Sequence, residues 1–207
     1  MVYPWNMKLY THPVSLFPFR VKIALHEKEL VYEEVVTDLV GGASEEFLEL
    51  NPFAQIPVLD DEGFVMAESM AILEYLEEKF PKPALSPADI EARATMRKLM
   101  GWSTDYWYAH WKAWLAPKLG AQAPPWNEKS VAEGRLGLTR HLDVIGEQLG
   151  DGEWLVGTYS MADICYAPLI LSASRLGLEE EIEARPKVQG WLDRLVKREA
   201  VREALLL

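Results

Sequence analysis

The sequence predicts an α/β layer built on a mixed four-stranded sheet, followed by an all-α part. Three observations carry this. Strand and helix periodicities alternate over the first 80 of 207 residues. A stretch with three prolines, PKPALSPAD (81–89), interrupts them. Everything beyond repeats at helical spacing. The expected organisation is therefore a domain over 1–80, a linker over 81–88 and an all-helical domain over 89–207.

Each element has its own local warrant. MKLYT (7–11) is a short strand. FRVKIALHEK (19–28) sets Val21, Ala24 and Leu25 at helical spacing between polar residues. VYEEVVT (31–37) is enriched in β-branched and aromatic residues. SEEFLELNP (44–52) reads as one or two helical turns. It stops before Pro52, because a residue preceding proline is pushed out of the helical region. IPVLDDEGFVMA (56–67) reads as a hairpin whose acidic turn closes at Gly63. ESMAILEYLEEKF (68–80) is amphipathic, with Ile72, Leu73, Leu76 and Phe80 on one side. The order is β-α-β-α-β-β-α. Further helices are predicted over 89–117, 128–149, 160–176 and 186–205. APP (123–125), GDGEW (150–154) and RP (185–186) separate them.

Composition excludes several function classes. Hydrophobic residues make up 49% of the chain, enough for a sizeable core, while the net charge is -11. That charge disfavours nucleic acid and anionic membrane surfaces, both of which recruit basic patches. No apolar run approaches the roughly 20 residues that span a bilayer. MVYPWNMKLY has no basic n-region followed by an apolar stretch, so no secretory signal is expected, and residues 1–6 read as an extension ahead of Met7. Cys165 is the single cysteine, so an intrachain disulfide is impossible and a cytoplasmic location is expected.

Several motifs carry chemistry. Ser15, in HPVSLFPFRVKIALHEK, stands between the first strand and the first helix. It is either a helix cap or a working hydroxyl; no His–acid pair nearby suggests a nucleophilic triad. Pro57, in QIPVL, opens a strand, where it cannot donate to a sheet. It reads either as a plain trans proline at a strand edge or as a cis bond. In the cis case the N–H and C=O of Ile56 are free to pair with an extended peptide. Glu68 and Ser69 enter a helix, whose N-terminus favours an anion; both also suit a cap. Trp107, Trp111 and Trp114 fall at i, i+4 and i+7, beside Tyr106 and His110, as core packing, a dimer surface or an apolar wall. SMAD (160–163) has capping-box spacing and reads as a folding signal. Cys165 reads as an inert buried thiol.

HPVSLFPFRVKIALHEK, NPFAQIPVLDDEG followed by AESMAILEYL, and GTYSMADICYAPLI (157–170) together closely resemble the cytosolic glutathione S-transferases. The resemblance covers nearly the whole chain from Met7. It is nearest the serine-type bacterial phi, theta and zeta-like classes. It implies a thioredoxin-like N-terminal domain and an all-α C-terminal one. It implies that Ser15 donates a hydrogen bond to the glutathione sulfur, favouring the thiolate of a thiol whose reference pKa is about 8.5. Tyr10 and Thr11 are the competitors for that role, and His12 reads as a loop residue. Gln55, Ile56, Pro57, Glu68 and Ser69 are implied to hold glutathione, with Ile56–Pro57 cis, Glu68 on the ammonium and Ser69 on the γ-glutamyl carboxylate. Phe17, Tyr106, Trp107 and Trp111 are implied to meet a small hydrophobic electrophile. The resemblance further implies detoxifying conjugation with glutathione as co-substrate, no metal, and a homodimer through helices 69–80 and 89–117. A glutathione-dependent isomerase, dehalogenase or peroxidase, and a non-catalytic binding module, remain alternatives.

One departure stands out. Phi-like members carry a basic or histidine-containing segment before NPF that meets the glycyl carboxylate of glutathione. Here that segment is GGASEEF (41–47), and no Lys, Arg or His occurs between Lys28 and Lys79. Arg20, Lys112, a neighbouring subunit or water are the candidates to replace it.

Overall fold

The computed structural model describes residues 7–13, 15–38, 42–115 and 128–206. The expectations for residues 1–6, Gly41, residues 116–117 and the APP segment fall outside that set. The chain divides into two units. One comprises Met1–Leu85 with Arg198–Leu207, the other Ser86–Lys197.

In the first unit the order is β1 (Met7–Thr11), α1 (Leu16–Glu27), β2 (Glu33–Val36), α2 (Glu45–Leu50), β3 (Val58–Asp61), β4 (Phe64–Ala67) and α3 (Ser69–Lys79). The sheet runs β2-β1-β3-β4. β1 pairs with β2 in parallel and with β3 antiparallel, and β3 pairs antiparallel with β4. Period-two alternation buries Met7, Leu9 and Thr11 of β1. α1 covers the sheet with Val21, Ile23, Ala24 and Leu25, and packs on α3 through Ile72, Leu73 and Leu76. The mixed four-stranded sheet is the one the alternation predicts.

The C-terminal helix α10 (Glu199–Leu205) packs on α1. The sequence reading places residues 198–207 in the helical domain, whereas the structure groups them with the α/β unit. The reason is local chemistry. Arg198 donates two hydrogen bonds to the Glu27 carboxylate, from Nε and from its terminal nitrogen, at 2.7 Å each. His26 meets Glu203 at 3.0 Å, and Ala200, Val201 and Ala204 are buried. Residues 81–85, expected as linker, are fastened to this unit. Lys28 Nζ donates to Glu77 and to the carbonyls of Phe80 and Pro83, and Glu77 accepts from the Leu85 N–H.

The second unit is helical: α4 (Ile90–Trp102), a π-helical turn (Ser103–Trp107), α5 (Tyr108–Leu115), α6 (Glu128–Leu149), α7 (Met161–Ala173), a second π turn (Ser174–Leu178), α8 (Glu179–Glu183) and α9 (Pro186–Leu195). α7 is apolar around nearly its whole circumference and is the buried centre. The capping box at its start forms as the SMAD spacing predicts. Ser160 Oγ accepts from Ala162 N–H, while Asp163 accepts from Ser160 N–H and Oγ. The other Asp163 oxygen accepts from Leu155 N–H and Trp191 Nε1. Burial raises the Asp163 pKa to about 6 against the pull of these donors. α5 and α6 approach closely at Gly134, where a Cβ would lie 2.8 Å from the Trp114 backbone nitrogen.

Candidate functional site

Strand register assembles the site of the first unit. Tyr10 lies opposite Val58, and Val58 opposite Ala67. The segments that leave β1, enter β3 and leave β4 therefore meet at one end of the sheet. Those three segments carry Ser15, Gln55–Pro57 and Glu68–Ser69.

Ser15 is the N-cap residue of α1, and its half-buried side chain makes no capping hydrogen bond. Its N–H donates to the His12 carbonyl at 3.0 Å. The hydroxyl thus has no protein partner among the described residues, and it sits at the positive end of a 12-residue helix. Thr11 differs: it is buried, and its hydroxyl donates to Glu34 at 2.8 Å, a carboxylate also held by Lys22. The Tyr10 ring packs against Phe47, 5.9 Å between centroids. Phe17, half-buried on the first turn of α1, lies under the Arg20 guanidinium at 4.7 Å, and Arg20 itself is fully buried.

The segment ahead of β3 is templated by Asn51, which the motif reading did not single out. Asn51 is buried; its amide donates to the Gln55 carbonyl at 2.8 Å, and its side-chain oxygen accepts from the Phe53 N–H at 3.1 Å. Ala54 takes a left-handed conformation, φ 52, inside this turn. The sequence signal was an Asn before Pro at a helix end, a turn-forming pair. The Ile56–Pro57 peptide is cis. Ile56 precedes the first ladder pair of β3, and its backbone N–H and C=O have no hydrogen-bond partner among the described residues. Gln55 is exposed, with its amide 3.3 Å from the Phe53 carbonyl.

At the third segment, Glu68 caps α3 with φ 71, a strained value for a side-chain-bearing residue. Its side chain is exposed and makes no cap hydrogen bond. Ser69, the first residue of α3, is buried. The helix entrance thus presents backbone donors beside an exposed carboxylate, an arrangement suited to an amino-acid head group.

In the helical unit Trp107 ends the π turn while Trp111 and Trp114 lie in α5, and the three differ in exposure. Trp107 and Trp114 are buried. Trp107 packs edge-on against His141 and Tyr166. Trp111 is half-buried and stacks on Tyr108, with centroids 5.7 Å apart. Tyr106 is exposed and borders a cleft of about 340 Å³ shared with His110, Gly137, Arg140 and His141. His141 is hydrogen-bonded through Nε2 to Tyr166 Oη at 2.6 Å. Burial, and then the charge of His110, push its pKa down to about 4. Lys112 is exposed on α5, and Cys165 is buried in α7. Among the described residues no cluster of His, Cys, Asp or Glu could hold a metal ion, and no helix is long and apolar enough to cross a membrane.

Comparison with known proteins bears on both units. Residues 5–78 match the family model "Glutathione S-transferase, N-terminal domain", and residues 110–199 match "Glutathione S-transferase, C-terminal domain". The chain is 36% identical over 177 residues to maleylacetoacetate isomerase of Rattus norvegicus, covering 83% of this chain and 80% of that one. It is 31% identical over 200 residues to glutathione S-transferase theta-2B of Homo sapiens, covering 92% and 80%. A solved glutathione S-transferase from Rhodospirillum rubrum F11 superposes with a TM-score of 0.84 at 28% identity, covering 97% of this chain and 92% of that one.

Proposed function

The chain belongs to the glutathione S-transferase family, and from that premise we propose that Ser15 activates the glutathione thiol for transfer to a small hydrophobic electrophile. It is a glutathione transferase with a thioredoxin-like N-terminal domain and a helical C-terminal domain. The observation that carries the assignment of Ser15 is its hydroxyl, not spent on capping although it stands at a helix N-terminus. Thr11, by contrast, is committed to Glu34.

In this reading the cysteinyl part of glutathione pairs antiparallel with the backbone of Ile56, beside Pro57. Glu68 takes the γ-glutamyl ammonium. Ser69 and the first N–H groups of α3 take the γ-glutamyl carboxylate. Gln55 adds a neutral hydrogen bond. Sulfur then lies at Ser15, whose O–H donates to it while the N-terminus of α1 favours negative charge. Each pKa unit by which the thiol is lowered corresponds to about 1.4 kcal/mol. The thiolate attacks the electrophile, and holding both together supplies the remaining advantage. Phe17, Tyr106 and Trp111 are the proposed electrophile contacts. Trp107, buried against His141 and Tyr166, is left out of that set. The working form is proposed to be a cytoplasmic homodimer.

The isomerase relatives favour a second reading, in which the thiolate adds to a substrate double bond and is expelled again after rotation, so that glutathione is not consumed. Calorimetric titration with glutathione, run beside chloronitrobenzene turnover, tests the first reading. Saturable binding with turnover is expected. Binding without conjugation, together with isomerisation of a cis-enone acid, would transfer the assignment to the second.

A further inference from the structure

We infer that this site takes a γ-glutamyl-cysteinyl thiol whose C-terminal carboxyl is uncharged, as a carboxamide or ester, in preference to free glutathione. The inference rests on the reading above, in which the ligand pairs antiparallel with Ile56.

Antiparallel pairing fixes the direction of the ligand. Its N-terminal residue lies toward Pro57 and the Glu68–Ser69 entrance, which the register places across from Pro57. Its C-terminal residue runs the other way, about 3.4 Å per residue, toward Ala54 and Phe53. The group at that end of the ligand therefore faces the Asn51–Gln55 turn and the end of α2.

Among the described residues that region offers no cation to a second carboxylate. Both polar atoms of the Asn51 side chain are engaged inside the turn. The Ala54 N–H donates to the Asn51 carbonyl. α2 carries exposed Glu45, Glu46 and Glu49, and its last turn holds no basic residue. The C-terminal end of a helix is itself the negative end. The sequence from 29 to 78, which spans the turn, α2 and the Glu68 entrance, contains no Lys, Arg or His. Five cations of this unit face acids: Lys8 meets Glu33, Lys22 meets Glu34, Lys28 meets Glu77, Lys79 meets Asp61 and Arg198 meets Glu27. Arg20 is fully buried. A ligand carboxylate placed here meets like charge, and a neutral terminus does not.

The test is calorimetric titration of the full-length chain with glutathione and with glutathione carboxamide, at low and at high salt. The carboxamide is expected to bind at least threefold more tightly at low salt. The ratio is expected to fall toward one at 1 M salt, where the Debye length is about 3 Å. Glu49→Lys is expected to strengthen glutathione binding and leave the carboxamide unchanged. Glutathione binding as tightly as the carboxamide, or more tightly, would overturn the inference and leave the proposed function standing. Binding of neither would remove both.

Discussion

Ser15 and Glu68, at neighbouring corners of one sheet end, are proposed to do separable jobs. Ser15→Ala is expected to retain fold and glutathione affinity while turnover falls roughly 10- to 100-fold, the equivalent of one to two pKa units on the thiol. Steady-state kinetics beside calorimetry reads both quantities, and unchanged turnover would move the role to Tyr10. Glu68→Ala is expected to weaken glutathione binding about tenfold, the value of a hydrogen bond between charged groups. Glu68→Gly is expected to weaken binding equally, yet to unfold about 1 kcal/mol later than the alanine variant, because glycine adopts φ 71 without strain. His141 gives a prediction in pH. Its folded pKa of about 4 lies below the ordinary 6.5, so the unfolded chain binds the extra proton between those values. Stability from this group is complete above pH 6.5 and is lost as pH falls toward 4, by about 3 kcal/mol. Asp163, raised to about 6, works in the opposite sense and gains stability as pH falls from 6. Denaturation of His141→Gln at pH 6.5 and at pH 4 is expected to show a loss smaller than wild type by about 3 kcal/mol. An equal loss would contradict the assignment.

At the scale of elements, legibility in the sequence followed the range of the interaction. The hairpin over 56–67, the capping box at Ser160 and the start of α3 at Glu68–Ser69 are local patterns, and each was readable from a few adjacent residues. The π turn at Ser103–Trp107 was not, because a helical period of 3.6 predicts one continuous helix over 89–117. Within the i, i+4, i+7 row, Trp107 and Trp114 are buried and Trp111 is half-buried. Asn51 was visible only as a turn former, since the groups it bonds are set by the folded loop. The docking of α10 on α1 was the hardest to read, because Arg198 and Glu27 are 171 residues apart. That bidentate pair is only partly exposed. Arg198→Ala, which leaves the Glu27 carboxylate without its guanidinium, is expected to destabilise the chain by about 1–3 kcal/mol in urea denaturation. A change below a few tenths would mean that the apolar face of α10 alone holds it.

For the whole molecule, the charge of -11 and the acidic N-terminal segment set the terms on which an anionic peptide can bind. Affinity is proposed to come from backbone pairing at Ile56 and from the entrance of α3 rather than from attraction at long range. The family's chemistry is that of a glutathione thiol, whose pKa this chain is proposed to lower through Ser15. The most direct measurement is ultraviolet titration of the glutathione thiolate bound to the wild-type protein and to Ser15→Ala. The bound thiol is expected to ionise at least one unit below about 8.5 in the wild type and to return toward that value in the variant. The same titration curve in both proteins would contradict it.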